Sequence, residues 1–289
     1  MKQLLVLSGK GGTGKTTVTR AMIDLLAPEA YADCDVDAPN LHLVIQRRDH
    51  PSEAPYYGLD KAHITSELCA CCGLCAQYCR FSAVIPGANY TIDELACEGC
   101  GVCVEVCPQK AITLQPHVAG ELRLFKNSPV FSTAQLRTGN GNSGLLVSEV
   151  KNRMYQRVTE EGIAIIDGSP GIGCPVIASI SGVDLVLIVA EPSLSGLSDL
   201  QRIVQTARTF QTPMAICVNK WDLDREKTAE LKAFSEQESI PFVGTIPFDR
   251  KVVDANNGGK SIINSTMRAG TAVRSVVDGT ISLLLEGTR

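Results

Sequence analysis

The sequence predicts an α/β protein with a mostly parallel β-sheet, helices on both faces of the sheet, and a small inserted α+β domain. Short apolar runs alternate with helix-compatible stretches over most of the 289 residues, and each run ends at a polar or glycine-rich loop. Residues 57–116 interrupt this alternation with a cysteine-rich segment. We therefore expect one discontinuous α/β domain, formed by residues 1–56 and 117–289, and an inserted domain at residues 57–116.

The N-terminal residues are typical of a strand, a tight loop and a helix. Residues 4–7 form a short continuous apolar run, as in a parallel strand that is buried on both faces. Residues 9–14 are rich in glycine, and helix-compatible apolar positions follow over residues 16–26. A second strand is expected at residues 30–32, immediately before Asp33.

The later part of the chain repeats this organisation. We expect strands at residues 163–166, 185–190, 215–218 and 242–246, the sheet to resume near 122–124, and helices at 145–158 and 272–285. The four strands end at Asp167, Glu191, Asn219 and Pro247. Because ligands of such sheets bind beyond the carboxyl ends of the strands, these residues indicate where a site should form.

The composition is that of a globular protein, with 44% apolar and 20% charged residues. The net charge of −4 argues against a nucleic-acid partner, which usually requires a basic surface. No apolar run approaches the roughly 20 residues that span a bilayer, so no stable membrane insertion is expected. Only three residues precede the first short apolar run, unlike a signal peptide, and a cytoplasmic location is therefore expected.

The loop after the first strand matches the phosphate-loop pattern G-x-x-x-x-G-K-[ST] between a strand and a helix. Its glycines allow backbone N–H groups to surround phosphate oxygens at a helix N-terminus. Lys15 would reach the β- and γ-phosphates, and the Thr16 hydroxyl would bind Mg²⁺. A glycine-rich turn without a ligand is the alternative, but the required strand and helix are both present. The sequence therefore predicts binding of ATP with Mg²⁺.

Residues 10–17 extend this motif, because Lys10 adds a second lysine to it. They resemble the deviant Walker A motif of the MinD/ParA/Mrp and nitrogenase iron-protein superfamily, a branch of the P-loop NTPases. The resemblance implies that Lys10 reaches across a nucleotide-sandwich dimer to the partner's phosphates. We therefore expect a homodimer, or a heterodimer with a related ATPase, when ATP binds.

The resemblance continues at the other strand ends. Residues 33–35 resemble the first switch, 165–171 the Walker B and second-switch region, and 218–220 and 246–249 the segments that frame adenine. It implies that Asp35 orients the attacking water, that Asp167 holds Mg²⁺ directly or through water, and that Gly168 senses the γ-phosphate. The implied catalytic residues are Lys10, Lys15, Asp35 and Asp167. The implied nucleotide-binding residues are Gly11, Gly12, Thr13, Gly14, Lys15, Thr16, Thr17, Gly168, Asn219, Lys220, Pro247 and Asp249.

Nine of the twelve cysteines lie between positions 69 and 107. Those at 97, 100, 103 and 107, followed by Pro108, match the bacterial ferredoxin run C-x2-C-x2-C-x3-C-P, and those at 69, 72, 75 and 79 repeat its spacing 28 residues earlier. In such pairs the fourth cysteine binds the other cluster. We therefore expect two 4Fe–4S clusters, one on Cys69, Cys72, Cys75 and Cys107, the other on Cys97, Cys100, Cys103 and Cys79.

The first cysteine run departs from the ferredoxin pattern, because Arg80 replaces the proline and Cys71 is an additional thiol. Structural zinc also uses C-x2-C pairs, but the paired eight-cysteine spacing is more specific. A disulfide scaffold would be a short secreted chain. With six acidic and three basic residues, the cysteine segment also carries most of the net charge of −4.

The combination resembles MinD-superfamily ATPases with an inserted ferredoxin domain. One hypothesis is that ATP hydrolysis gates electron transfer to an unknown redox partner, as in the nitrogenase iron protein. The alternative is a carrier that assembles or delivers iron–sulfur clusters to an acceptor protein, or positions a partner. Membrane-associated spatial organisation is disfavoured, because residues 272–285 are not a basic amphipathic tail.

Overall fold

A nine-stranded sheet lies at the centre of the computed structural model, in which residues 1–45, 47–159, 161–263 and 267–286 are described. Its strand order is β13-β12-β11-β1-β10-β2-β9-β8-β3. The strands of the described ranges are β1 (Lys2–Ser8), β2 (Ala30–Asp33), β3 (Ser52–Tyr57), β4 (Lys61–Ile64), β5 (Val84–Ile85), β6 (Thr91–Ile92), β7 (Ile112–Gln115), β8 (Val118–Phe125), β9 (Val130–Leu136), β10 (Ile163–Pro170), β11 (Leu185–Ala190), β12 (Met214–Asn219) and β13 (Phe242–Ile246).

The helices alternate with these strands. They are α1 (Lys15–Leu26), α2 (Leu41–Val44), α3 (Leu74–Tyr78), α4 (Val102–Glu105), α5 (Ser143–Tyr155), α6 (Cys174–Ile180), α7 (Gly196–Thr209), α8 (Arg225–Gln237), α9 (Arg250–Asn257) and α10 (Arg268–Glu286). Short 3-10 turns occur at Ser66–Leu68 and Trp221–Leu223. Along the part of the chain that the structure describes, no helix is long and apolar enough to cross a membrane.

The strands from β13 to β9 in this order run parallel, whereas β8 and β3 extend the sheet antiparallel at one edge. Helices pack on both faces, because successive side chains of each strand point to opposite sides. In β1, Leu5 and Leu7 pack with α5 to α8, while Leu4 and Val6 pack with α1 and α10. All four are fully buried, and each contributes roughly 1.5–3 kcal/mol. The α/β fold with a mostly parallel sheet is therefore confirmed.

Several boundaries differ from the expected ones. Helix α1 begins at Lys15, α5 spans Ser143–Tyr155 and α10 spans Arg268–Glu286. The sheet resumes at Val118 in an antiparallel strand, which pairs with Tyr57 of β3. The chain therefore leaves the main sheet over residues 58–117. The inserted domain at residues 57–116 stays a prediction.

Residues 58–117, here called the cysteine module, form two small antiparallel pairs, β4–β7 and β5–β6. Their backbone repeats with the same 28-residue offset as the cysteines. Gly73 and Gly101 precede α3 and α4 with φ of 78° and 77°, and Ser82 and Lys110 have φ of 53° and 50°. The repeated cysteine spacing thus corresponds to a repeated backbone path. A separate small core holds the module together, formed by Ala62, Ile64, Cys75, Ala83, Val84, Cys97 and Ile112.

Candidate functional site

The phosphate loop (residues 9–16) connects β1 to α1 at the carboxyl edge of the parallel strands. Gly14 has φ of 91°, and a Cβ there would overlap the Asn219 amide. A Cβ on Gly9 would overlap Asp199 at the start of α7. The amide of Asn219 donates to the Thr13 carbonyl at 2.7 Å. Glycine is therefore required at both ends of the loop, by backbone conformation or by close packing.

Asp167 accepts hydrogen bonds from three side chains on the first two turns of α1. Its carboxylate is fully buried and accepts hydrogen bonds from Lys15 Nζ at 2.7 Å, Thr16 Oγ1 at 2.9 Å and Thr19 Oγ1 at 2.8 Å. Parallel pairing of β1 with β10 brings these groups together across about 150 residues of sequence. Lys15, Thr16 and Asp167 are the residues expected to hold the phosphates and Mg²⁺, and the structure brings them together.

Two aspartates lie at the end of β2, on the side of β10 opposite β1: Asp33 is the last residue of the strand, and Asp35 follows it by two residues. The fully buried Asp33 accepts backbone hydrogen bonds from Asp35, Asn40 and Leu41 at 2.9–3.1 Å. Burial, and next the charge of Asp167, raise the pKa of Asp33 to about 7. Burial also raises the pKa of Asp35, against the opposing charge of Lys15. Asp33 therefore fixes the loop that carries Asp35, and Asp35 lies within electrostatic reach of Lys15 and Asp167.

Gly168 lies inside β10, where the space for a Cβ is taken by Leu7 and Leu5. The expected contact with a γ-phosphate stays a prediction, because close packing of β10 against β1 already requires glycine here. Gly171, one residue after the strand, has φ of 93° and open space around it. Glycine is therefore favoured at 171 by backbone conformation and required at 168 by close packing.

A cavity of about 200 Å³ lies beside the phosphate loop, between the ends of β12 and β13. Its polar and apolar lining includes the four residues expected to frame adenine: Asn219, Lys220, Pro247 and Asp249. Thr17 and Val252 also line it, as does Phe248, whose side chain is partly exposed. An apolar cavity next to a phosphate loop suits a flat base. Asp249 has a structural role as well, because its carboxylate caps α9 by accepting from the Lys251 amide at 3.0 Å.

Two lysines at the rim of the phosphate loop share one carboxylate. Glu191 Oε1 pairs with Lys10 Nζ at 2.9 Å, and Glu191 Oε2 pairs with Lys220 Nζ at 3.0 Å. Lys10 also donates to Ser193 Oγ at 2.8 Å, and Lys220 to the Gly12 carbonyl at 2.6 Å. Lys10 thus lies at the phosphate loop, where its side chain is held by residues of its own chain.

The eight expected cluster cysteines separate into two cavities of the cysteine module. Cys69, Cys72, Cys75 and Cys107 line one, and Cys79, Cys97, Cys100 and Cys103 line the other. The backbone amide of Ala83 donates to Cys79 Sγ at 3.4 Å, and that of Ala111 donates to Cys107 Sγ at 3.3 Å, again 28 residues apart. All twelve cysteines of the chain are free thiols. Both sets combine the same four residues as the expected pairing.

Within the described ranges, no three His, Cys, Asp or Glu side chains form a group that could hold a single metal ion. The two 4Fe–4S clusters therefore stay a prediction from the cysteine spacing. Cys71 lies outside the lining of both cavities, with φ of 51° where the repeat has Gly99. Its thiol donates to the Ala88 carbonyl at 3.7 Å.

Sequence reasoning assigned no role to Thr19, Asp33, Glu191 or Asn256. Thr19 follows Lys15 by four residues, so it lies on the same face of α1. Asp33 and Glu191 each end or follow a buried strand, which is the one signal that was present. Asn256 donates to Thr17 Oγ1 at 2.8 Å from a helix about 240 residues away, and nothing in the sequence indicated this contact.

Comparisons with known proteins agree with this geometry. The model of the CobQ/CobB/MinD/ParA nucleotide binding domain matches residues 4–262. An uncharacterized protein of Methanocaldococcus jannaschii is 31% identical over 249 residues, which cover 85% of this chain and 86% of that protein. The iron-sulfur cluster carrier protein of Pyrococcus horikoshii is 24% identical, over 90% of this chain and 79% of that protein.

Among solved structures, the septum site-determining protein MinD of Pyrococcus horikoshii, complexed with Mg-ADP, superposes with a TM-score of 0.56. The match covers 100% of this chain and 99% of that chain at 16% identity, which supports the fold alone. The matched family model covers most of the residues that build the phosphate loop, the switches and the cavity beside them. The chain therefore belongs to the CobQ/CobB/MinD/ParA nucleotide binding domain family.

Proposed function

We propose that the protein is an ATP-hydrolysing, nucleotide-dependent dimer that couples ATP turnover to electron transfer through two 4Fe–4S clusters. One observation carries the proposal: eight cysteines line two cavities, four in each, within a module inserted into a MinD/ParA-type nucleotide-binding fold. The nucleotide-binding fold provides a site for the triphosphate, and the module provides two sets of thiolate ligands. The triphosphate site and the thiolate ligands have no residue in common.

In the nucleotide site, the backbone of Gly11 to Thr17 would surround the phosphates, and Lys15 would neutralise the β- and γ-phosphates. Thr16 and Asp167 would hold Mg²⁺, with their present hydrogen bond replaced by bonds to the ion. Asp35 would accept a proton from the attacking water and orient it. The cavity beside the loop would take the adenine, against Asn219, Lys220, Pro247 and Asp249.

In the cysteine module, the eight thiolates would hold the clusters, which when bound supply one-electron carriers. Backbone N–H groups that point at sulfur, as those of Ala83 and Ala111 do, stabilise the negative charge of a thiolate and so tune a cluster's potential. Cys72 and Cys100 are exposed, so each cluster site reaches the protein surface. A redox protein could therefore approach either site.

A second glycine-rich loop, residues 137–144, supports coupling between the two parts. Gly139 packs so closely on Leu95 that a Cβ would lie 2.8 Å from its side chain, and Gly141 faces Glu98, which lies between two cluster cysteines. At the other end, a Cβ on Gly144 would lie 3.1 Å from the Cys174 carbonyl, at the start of the helix after the second switch. One short loop therefore contacts both the helix that follows the second switch and a residue between two cluster cysteines.

The partners follow from the same features. We propose a homodimer, or a heterodimer with a related ATPase, in which Lys10 contacts the phosphates bound by the partner. The cysteine module would meet an unidentified redox protein. A nucleic-acid partner is not proposed, given the acidic charge balance. A cytoplasmic location is proposed because it would keep the thiols reduced.

The test is electron paramagnetic resonance of anaerobically purified protein with and without Mg-ATP. Reversible reduction at low potential, with a spectrum that Mg-ATP changes in the wild type but not in Lys15→Ala, is expected. Clusters that cannot be reduced reversibly, or a spectrum that is indifferent to ATP, would contradict electron transfer.

The alternative, an ATP-dependent cluster carrier, is favoured by one observation: three Pyrococcus relatives at 24% identity are named iron-sulfur cluster carrier proteins. It is distinguished by incubating the loaded protein with an apo-ferredoxin and a chelator. ATP-stimulated loss of iron to the acceptor supports the carrier. Retention of all iron through many ATP turnovers supports the electron-transfer proposal.

A further inference from the structure

The carboxylate of Glu191 lies between two lysines of the nucleotide site and belongs to neither the phosphate loop nor a switch. Glu191 directly follows β11, whose neighbour in the sheet is β1, so the two strand ends lie side by side. Its side chain is 17% exposed and makes one ion pair with each oxygen, to Lys10 and to Lys220. Both lysines are nucleotide-site residues in the proposed function.

The backbone around Glu191 is held tightly against the phosphate loop. A Cβ on Gly196 would overlap the Glu191 carbonyl, and a Cβ on Gly9 would overlap Asp199 three residues further on. These two close approaches leave Glu191 little freedom to withdraw from the rim of the loop. The backbone that carries Glu191 is therefore held beside the phosphate loop, whereas the lysines, with four-carbon side chains, are able to exchange partners.

The electrostatics show that the carboxylate is charged. Burial raises the pKa of Glu191, but hydrogen bonds from Lys10 and Lys220 outweigh this effect and lower the pKa below its ordinary value. Lys15 has its own partner, Asp167, at 2.7 Å. Each of the three lysines around the phosphate loop is thus paired with a carboxylate of its own chain.

We infer that Glu191 is a positioning residue that retains Lys10 and Lys220 within their own chain and, when a triphosphate binds, releases Lys10 to phosphate oxygens and Lys220 to the nucleotide beside the phosphate loop. The inference rests on the proposed ATP site and adds a residue to it. Because the Glu191 carboxylate competes with the nucleotide for the two lysines, it lowers the affinity of the protein for ATP. In return it prevents Lys10 from engaging another anion before ATP is present.

The experiment measures the equilibrium dissociation constant for Mg-ATP in four proteins: wild type, Glu191→Gln, the Lys10→Ala/Lys220→Ala double variant, and that double variant with Glu191→Gln added. Glutamine keeps the shape and removes the charge, so Glu191→Gln should bind Mg-ATP about three- to tenfold more tightly. In the background that lacks both lysines the same substitution should change affinity less than about twofold. Glu238→Gln, which removes a carboxylate paired with Arg208 at the far end of α7, is the matched control and should change nothing.

Unchanged or weaker binding by Glu191→Gln would overturn the inference. So would a full gain that persists without the lysines, because the carboxylate would then act on phosphate directly. If Glu191→Gln does not melt like wild type, Ser193→Ala replaces it. This variant removes the nearer of the two serine hydroxyls that accept from Lys10 and should give a smaller gain in the same direction. Wild-type protein that binds no Mg-ATP would instead refute the proposed function, so the two failures are distinguishable.

Discussion

The nucleotide face and the cysteine module are organised in opposite ways. At the nucleotide face, polar side chains already satisfy one another, as Lys15, Thr16 and Thr19 do at Asp167, and two large apolar clusters support the sheet beneath them. The cysteine module has strands of two to four residues and a small core in which Cys75 and Cys97 are themselves buried members.

Packing therefore organises the nucleotide face, whereas the cysteine module would depend on its proposed clusters. A segment of about 60 residues buries too little apolar surface to be strongly stable alone, and bound metal then supplies folding energy. The nucleotide face needs no such help, because its loop is fixed by glycine packing on Asn219 and Asp199. The predictions below test this contrast, from the largest expected effect to the smallest.

Lys15→Ala should lower the rate of ATP hydrolysis by about a hundredfold or more, because it removes the buried cation that would neutralise the γ-phosphate. Mg-ATP binding should also weaken, measured by titration with a fluorescent analogue. The melting temperature should fall, because the fully buried Asp167 carboxylate would keep its two threonine donors but lose its counter-charge. Unaltered turnover would refute the assignment of the phosphate loop.

Removal of iron with a chelator should disorder the cysteine module and leave the nucleotide face folded. Hydrogen exchange should accelerate over residues 58–117, while amides of β1 and β10 keep their protection. The physical reason is that cluster ligation replaces a large core in the module. Equal loss of protection in both regions, or in neither, would contradict the contrast between them.

Asp35→Ala should stop hydrolysis but leave Mg-ATP bound, because the loop and Lys15 remain intact. The protein should then accumulate as a dimer in the presence of ATP, which size-exclusion chromatography with light scattering would detect. A variant that stays monomeric and hydrolyses ATP at the wild-type rate would show that Asp35 is not the water-orienting residue.

Cys103→Ala should lose the cluster held by Cys79, Cys97, Cys100 and Cys103 and retain the other, so that iron per chain falls by about half. Cys71→Ala is the matched control, since Cys71 lines neither cavity, and should keep all its iron. Iron that falls to zero in Cys103→Ala, or by half in Cys71→Ala, would contradict the ligand sets.

The pH dependence of stability should carry a contribution from Asp33. Its folded pKa, about 7, exceeds the unfolded value of 3.8, so protonated Asp33 stabilises the fold and this stabilisation is lost as pH rises through that window. The free energy of unfolding of wild type, relative to Asp33→Asn, should fall by on the order of 1–2 kcal/mol between pH 5 and 8. Asp278→Asn, on an exposed position of α10, should show no such trend.

The buried strands and the grouping of the cysteines could be predicted from the sequence. Strands with continuous apolar runs, such as residues 4–7, were predictable because burial on both faces leaves a local pattern. The cysteine spacing predicted which thiols would share a cavity, because the two runs repeat the same backbone path. Neither signal needs knowledge of distant packing.

Contacts between remote segments were not predictable. The pairing of Lys10 with Glu191 joins residues about 180 positions apart, and depends on β11 lying beside β1. Antiparallel pairing of β8 with β3 was missed as well, because short alternating strands such as Ser52–Tyr57 resemble linker sequence. Strand order decides both features, and local periodicity does not report strand order.

The most direct test of the central claim is to measure iron, acid-labile sulfide and bound Mg-ATP on one anaerobically purified sample. About eight iron atoms and eight sulfide ions per chain are expected, together with about one bound Mg-ATP. Folded protein that contains only one of the two, or neither, would contradict the claim that one chain joins a triphosphate site with two iron–sulfur sites.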